Sequence, residues 1–297
     1  MRYLLLLIIY GILCISQSLS AYDLGVVSLF RNTAPYIKEW VEYHRMVGVD
    51  HFWLYNDESS DNWEEVLNPY IEEGLVEVIY WPADRLKEKS WVRRQTEAVK
   101  DALYRSRLST KWLAHIDTDE FLLPMQDKTV TECLNKHFSS AKAIYVSWRN
   151  FGTNHVRLEK GEFMLNRLTA CSLKSHSRNC VGKSIVRPIH VKINEVHYAH
   201  HFVLLPGASY VNGDGKKTLK RAGLDWKTDG KAYEAYLRLN HYALRDEGYF
   251  WDTRLPRDSN PNLVLQLYDD YNLEKDDKIL SFIQKMHPEM YEKFWSK

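Results

Sequence analysis

The stretch "KWLAHIDTDEFLLP" (Lys111–Pro124) decides how this chain is read. Three carboxylates, Asp117, Asp119 and Glu120, sit in an apolar run between Ile116 and Phe121. Burying an unpaired carboxylate costs several kcal/mol. The cluster therefore calls for a cation, a hydrogen-bond network or solvent at the end of a strand. In extended backbone, side chains i and i+2 point the same way, so Asp117 and Asp119 can share one site. Oxygen ligands of this kind suit a hard divalent cation, Mg²⁺ or Mn²⁺. By itself Asp-x-Asp is equally a solvated turn. The apolar strand before it and a second acidic cluster elsewhere argue for a site.

Upstream, "YDLGVVSLFRN" (Tyr22–Asn32) reads as a first strand and "APYIKEWVEYHRMVG" (Ala34–Gly48) as an amphipathic helix. His44 lies on that helix's apolar face and is expected to be a hydrogen-bonded core histidine. "VDHFWLYND" (Val49–Asp57) is a second strand, Trp63–Gly74 a helix, and "LVEVIYWP" (Leu75–Pro82) a third strand. Val92–Arg107 reads as a helix, Lys111–Asp117 as the fourth strand and Ala143–Phe151 as the fifth. This alternation predicts an α/β fold with a mainly parallel central sheet flanked by helices. In such sheets ligands bind beyond the carboxyl ends of the strands. Asn56-Asp57 and Asp117-x-Asp119 should then face one crevice. Farther on, Lys183–Phe202 alternates like antiparallel strands, Gly207–Gly230 reads as a loop, and Lys231–Arg245 and Asn272–Lys297 read as helices.

The chain has 297 residues, 45% of them hydrophobic, enough for a packed core. Its 40 basic and 39 acidic residues give a net charge of +1, without the basic excess of a nucleic-acid-binding protein. Ten Trp and 19 Tyr suit a core and also suit stacking on carbohydrate. The start, "MRYLLLLIIYGILCISQSLSAYD", has the pattern of a secretory signal peptide over residues 1–20, with residues 22–297 as one domain. That leaves soluble lumenal, periplasmic and secreted locations open, or an anchor formed by residues 3–16. Cys171 and Cys180 flank a polar segment and are expected to form a small disulfide.

Five ordered blocks carry a family resemblance: "RNTAPYIKEWVEYHRMVGVDHFWLYNDESSDN" from Arg31, "WVRRQTEAVKDAL" from Trp91, "KWLAHIDTDEFLLP", "KSIVRPIHVKINEVH" from Lys183, and "NHYALR" from Asn240. Between about Leu24 and Arg254 the chain resembles glycosyltransferase family 92. The resemblance implies a GT-A (Rossmann-like) fold and an inverting, Mn²⁺-dependent transfer from a nucleotide sugar, UDP-galactose, to a glycan. It implies that Asp57 meets the uracil edge, that Arg31 and Asn32 line the nucleotide pocket, and that Arg94 and Gln95 lie near the nucleotide. Asp117 would contact the ribose or a metal-bound water, and Asp119 the metal. His241 or His197 would be a further metal ligand. Lys183 is a candidate for the diphosphate, with a solvated strand residue as the plain alternative. Thr33 stands where relatives often have Glu.

Inversion needs a general base at the acceptor hydroxyl. Glu120, Glu195 and Glu234 are the candidates, with orientation of the Asp-x-Asp turn as the alternative role of Glu120. Two competing readings are a metal-dependent hydrolase that turns over without an acceptor sugar, and a lectin-like protein that binds without turnover.

Overall fold

The computed structural model describes residues 21–83, 90–217 and 231–296. The leader-like segment 1–20 lies outside the described residues, as does 218–230 of the expected loop. No helix among the described residues is long and apolar enough to cross a membrane.

The eleven strands among the described residues are β1 (Tyr22–Phe30), β2 (His51–Asn56), β3 (Val76–Tyr80), β4 (Thr110–His115), β5 (Glu120–Pro124), β6 (Ala143–Asn150), β7 (Ala170–Cys171), β8 (Gly182–Val186), β9 (Tyr210–Asn212), β10 (Leu237–His241) and β11 (Glu274–Lys275). Nine form one sheet in the order β3-β2-β1-β4-β8-β6-β10-β5, with β9 beside β6. Strands β1 to β4 pair in parallel, β8 runs antiparallel to both β4 and β6, and β10 is parallel to β6 but antiparallel to β5. This is the α/β, mainly parallel GT-A arrangement expected, with a smaller antiparallel part.

Helices α1 (Ala34–Met46), α2 (Trp63–Glu72), α3 (Trp91–Ser106) and α4 (Val130–His137) cover the sheet. Ile37, Trp40, Val41 and His44 of α1 are buried at helical spacing against Phe52, Leu54 and Trp112. On the opposite face Ala98, Val99, Ala102 and Leu103 of α3 pack on Val27, Leu29, Trp53 and Leu113. His44 is the core histidine its position foretold. Its Nδ1 donates to the Trp40 carbonyl at 2.8 Å and its Nε2 accepts from the Leu122 amide at 3.3 Å. Burial lowers its pKa to about 3, so the ring is neutral.

One topological fact places the site. Strands β4 and β5 are separated by four residues, yet lie four strand spacings apart in the sheet order. In a flat sheet that gap is about 19 Å, more than the roughly 17 Å that five fully extended residue steps span. The Glu120 amide also bonds the Asp117 carbonyl at 3.0 Å, so the connection is a tight turn. The sheet therefore curls until its middle and its far edge meet at "HIDTDE".

Several expectations are corrected. Strand β5 goes unread in the sequence because "EFLLP" is a short apolar run that periodicity cannot assign. Within Lys231–Arg245 the structure has strand β10, not a helix. Leu237 and Leu239 face the main core, while Arg238 and Asn240 are also buried. The Arg238 guanidinium reaches Asp276 at 2.8 and 3.1 Å, and tertiary pairing makes a strand of it. In Lys183–Phe202 only β8 is a strand; Pro188 opens a short 3₁₀ turn that ends the pattern. No disulfide joins Cys171 and Cys180. The Cys171 sulfur instead lies 3.2 Å from Nη2 of Arg149.

Gly182, at the start of β8, is required by close approach. A Cβ there would lie 1.9 Å from the Val146 carbonyl oxygen and 2.9 Å from the Ser147 Cα. Gly182→Ala must therefore separate β8 from β6 beside Lys183. We expect a loss of about 3 kcal/mol in urea unfolding, in the range of severe core overpacking. A loss below about 0.5 kcal/mol would show that the strands accommodate the methyl.

Candidate functional site

The carboxyl ends of β1, β2 and β4 lie at one edge of the sheet, with Phe30 beside Asn56 and Val27 beside His115. Arg31, Asn32, Asp57 and Asp117 follow directly, so the predicted crevice forms. Its Asp57 end is stiff. The Asn32 side chain accepts from the Ser60 amide at 2.7 Å, and the Asn32 amide donates to Ser59 Oγ at 3.0 Å. Asn32 adopts a φ of +53°, a left-handed conformation that asparagine tolerates better than most residues.

Adjacent residues in the first turns of α3 reach both ends of the crevice. Arg94 donates two hydrogen bonds to the fully buried Asp57 carboxylate, at 2.7 and 2.9 Å. Gln95 Nε2 donates to Asp117 Oδ1 at 2.6 Å. Arg31 stands farther off, 3.8 Å from Asp57. The nucleotide-side residues Arg31, Asn32, Asp57, Arg94, Gln95 and Asp117 are thus brought together.

Asp117 and Asp119 have different surroundings. Both Asp117 oxygens already accept a hydrogen bond: Gln95 donates to one, and Nζ of Lys183 donates to the other at 2.7 Å. Lys183 itself is 1% exposed, so it is no solvated strand residue. Burial opposes ionisation of Asp117, but Lys183 and the imidazoles of His115 and His200 outweigh it and hold the carboxyl below the usual range. Glu120 moves the other way. Burial, reinforced by Asp117 and Asp119 and opposed by Lys183, pushes its pKa well up. Its Oε2 accepts the Asp117 amide at 2.8 Å, while Oε1 is buried without a partner.

Asp119 points to the other side of the turn. Its Oδ1 is buried and unpartnered, 4.0 Å from His241 Nε2. His241 Nε2 is also 3.9 Å from Glu120 Oε1. The Nδ1 of His241 donates to Asn150 Oδ1 at 3.0 Å, an oxygen assigned as acceptor because the Asn150 amide nitrogen donates to Asn179. That leaves Nε2 as a lone pair. Burial lowers the His241 pKa, with Asp119 opposing, and Trp148 stacks on the ring at 4.3 Å. Asp119 Oδ1, Glu120 Oε1 and His241 Nε2 therefore converge with no hydrogen bond between them or from a neighbour among the described residues. Carboxylate oxygen and imidazole are ligand types that suit a divalent cation such as Mn²⁺. Among the described residues no three ligating side chains enclose an ion by themselves. Coordination positions would remain for phosphate oxygens and water, as hard cations at phosphate sites use them.

The remaining candidates lie elsewhere. His197 is exposed and makes no ion pair with these carboxylates among the described residues. Glu195 pairs with Lys192 at 3.2 Å, and Glu234 pairs with Lys174 at 2.8 Å. Sequence reading passed over Asn150, which orients His241, and Arg245, whose Nη2 is 3.9 Å from Asp119 Oδ2. Arg245 ends the "NHYALR" block, and that adjacency was its only signal.

Comparison with known proteins places the chain in a family. Residues 26–212 match glycosyltransferase family 92. A glycosyltransferase family 92 protein of Oryza sativa subsp. japonica is 29% identical over 196 residues, covering 65% of this chain and 31% of that protein. A galactan β-1,4-galactosyltransferase of Arabidopsis thaliana is 33% identical over 117 residues, 37% of this chain and 23% of that one. Among solved structures, S. aureus TarS (residues 1–349) aligns over 93% of this chain and 75% of that one, with a TM-score of 0.40 and 12% identity. The chain spans about a third of the length of the curated relatives it matches. With the family matched across more than half its length, the chain belongs to glycosyltransferase family 92.

Proposed function

We propose that this protein is a metal-dependent, inverting glycosyltransferase, a hexosyltransferase that moves galactose from UDP-galactose to a glycan acceptor. Residues 22–297 form its one domain in this reading, and the leader pattern of residues 1–20 routes it to the secretory pathway. The observation that carries the reading is the convergence of Asp119 Oδ1, Glu120 Oε1 and His241 Nε2 at the strand ends, where no neighbour among the described residues hydrogen-bonds to them. A bound Mn²⁺ would supply Lewis-acid stabilisation of the departing diphosphate. Asp119 and His241 would hold it. Asp117, kept ionised by Lys183, would meet the ribose, and the Arg94–Asp57 pair would frame the base. Glu120 would orient the turn through its bond to the Asp117 amide, which favours a positioning role over that of general base. The choice of galactose rests on the galactosyltransferase relative.

Calorimetric titration of UDP tests this. Binding should weaken by at least about tenfold, a difference of ~1.4 kcal/mol, when EDTA replaces Mn²⁺. Equal affinity in both buffers would remove the metal from the donor site. Release of galactose from UDP-galactose without any acceptor dependence would favour the hydrolase.

A further inference from the structure

Four arginines are buried among the described residues: Arg94, Arg149, Arg238 and Arg245. Three hold a carboxylate within hydrogen-bonding distance. Arg94 meets Asp57 at 2.7 Å, Arg149 meets Glu274 at 2.8 Å and Arg238 meets Asp276 at 2.8 Å. Arg245, 4% exposed, has no such partner. Among the described residues its one carboxylate neighbour within 4 Å is Asp119, with Oδ2 at 3.9 Å, and its only side-chain hydrogen bond runs from Nη2 to Thr118 Oγ1 at 3.4 Å. Its Nε is buried without an acceptor. A guanidinium has five N–H donors and keeps its charge at any physiological pH. Leaving most of them unanswered in a buried place is costly.

The surroundings hold this side chain in place despite the cost. The guanidinium lies over the Tyr36 ring at 4.6 Å and the Tyr249 ring at 4.4 Å, and the two rings stand at 84° to each other. The Tyr36 hydroxyl is itself fixed by Asp246 Oδ1 at 2.7 Å. The backbone is strained as well, since Arg245 adopts a φ of +49°, where a residue with a Cβ is uncommon. Its amide bonds the Tyr242 carbonyl at 2.8 Å, and the Tyr242 amide bonds the Asp119 carbonyl at 2.8 Å. The arginine turn is thus tied directly to the Asp-x-Asp turn. Strain kept up by several independent contacts is characteristic of functional positions. Lys183, the cation that the sequence offered for the diphosphate, is already bonded to Asp117.

We propose that Arg245 is the anion receptor of this crevice, and that its unanswered N–H groups bind phosphate oxygens of the nucleoside diphosphate. The inference rests on the donor reading given above. Planar N–H pairs match phosphate oxygens two at a time, which a lysine cannot do. The tyrosine faces fix the plane in advance, so little side-chain entropy is lost when the anion arrives. Without donor, the guanidinium leans on Asp119 at a distance too long for a hydrogen bond.

The test is calorimetric binding of UDP and of uridine to the full chain in Mn²⁺, with wild type, Arg245→Met and Arg245→Lys. The methionine variant keeps an apolar side chain of similar reach over the tyrosines. It should lose roughly tenfold to hundredfold in UDP affinity, the effect of one or two hydrogen bonds to a charged group, and nothing in uridine affinity. The lysine variant should fall between. Unchanged UDP affinity in Arg245→Met, with wild type binding UDP, overturns the arginine assignment and leaves the donor reading intact. Equal losses for UDP and uridine make Arg245 a structural residue and overturn the assignment too. A wild type that binds neither compound overturns the donor reading, and this inference with it.

Discussion

Asp119→Asn should abolish most transfer activity while leaving the fold as stable as before. The expected fall is about a thousandfold in kcat/KM, or ~4 kcal/mol of transition-state stabilisation. The same variant should bind UDP equally with and without Mn²⁺. Stability should hold because Asp119 Oδ1 has no hydrogen-bond partner to lose, and because its charge stands beside Glu120 and His241. Asp117→Ala should behave in the opposite way at the level of stability. It strands the buried ammonium of Lys183 and removes the acceptor of Gln95. Leaving the buried Lys183 ammonium without its 2.7 Å partner costs about 3 kcal/mol. Two aspartates in the same motif are therefore separable by measuring urea unfolding and turnover on both variants. Full, metal-dependent activity in Asp119→Asn would sink the metal assignment. A stability loss in Asp119→Asn matching that of Asp117→Ala would show that the two carboxylates share one structural role.

The second large effect lies outside the crevice. Glu39, on the buried face of α1, accepts from the Met164 amide at 2.7 Å, the Leu165 amide at 3.0 Å and the Trp295 indole at 2.9 Å. One carboxylate thereby ties three distant segments. Glu39→Ala would leave all three buried N–H groups without an acceptor. We expect a loss of about 3 kcal/mol or more, which in a chain of this size is roughly 6 to 12 °C in Tm. Activity should follow stability, since the next residue of α1, Trp40, donates to the Glu120 carbonyl at 2.8 Å and so helps to seat the Asp-x-Asp turn.

The same group predicts a pH dependence. Burial, opposed by the three N–H donors, pushes the Glu39 pKa from its ordinary 4.5 to about 7. Between those values the folded chain holds a proton that the unfolded chain has released. By linkage, stability falls as pH rises through that window. The contribution is fully present below about 4.5 and is gone above about 7, a change of ~3 kcal/mol at 1.36 kcal/mol per unit. Glu39→Gln cannot titrate. The unfolding free energy of the wild type should therefore drop relative to that variant by ~3 kcal/mol between pH 4.5 and pH 8. A gap that stays constant across this range would show that Glu39 keeps one protonation state throughout.

How far the fold could be read ahead depended on the range of the contacts. Strands β1 to β4 and helices α1 to α3 emerged close to their real bounds because each meets its sheet neighbour through a short crossover, and local periodicity records which face is buried. Strand β10 was misread because its partners, β5 and β6, lie far away in sequence. Its polar Arg238 and Asn240 are buried by virtue of Asp276, which no local pattern reveals. Within the site, Asp57, Arg94, Gln95, Asp117, Asp119 and His241 were all singled out, and the structure gathers them at one edge. Only the family resemblance gave the two aspartates different roles, because by residue type and spacing both are simply carboxylates two residues apart.

The sequence by itself determined that acidic residues stand at the ends of β2 and β4 and that they face the same way. Parallel strands joined by helices force this, since all their carboxyl ends lie on one edge. Only the tertiary structure decided which carboxylate is satisfied and which is left open. The sheet must curl for four residues to join β4 to its far edge, and that curl brings β8, β10 and the arginine turn around a single motif. Lys183 arrives on one side and neutralises Asp117, while His241 and Arg245 arrive on the other and leave Asp119 facing the crevice. Charge and hydrogen-bond balance depend on neighbours contributed by strands that meet only after folding, and this is why a residue's identity fixes its chemistry while its partners fix its role.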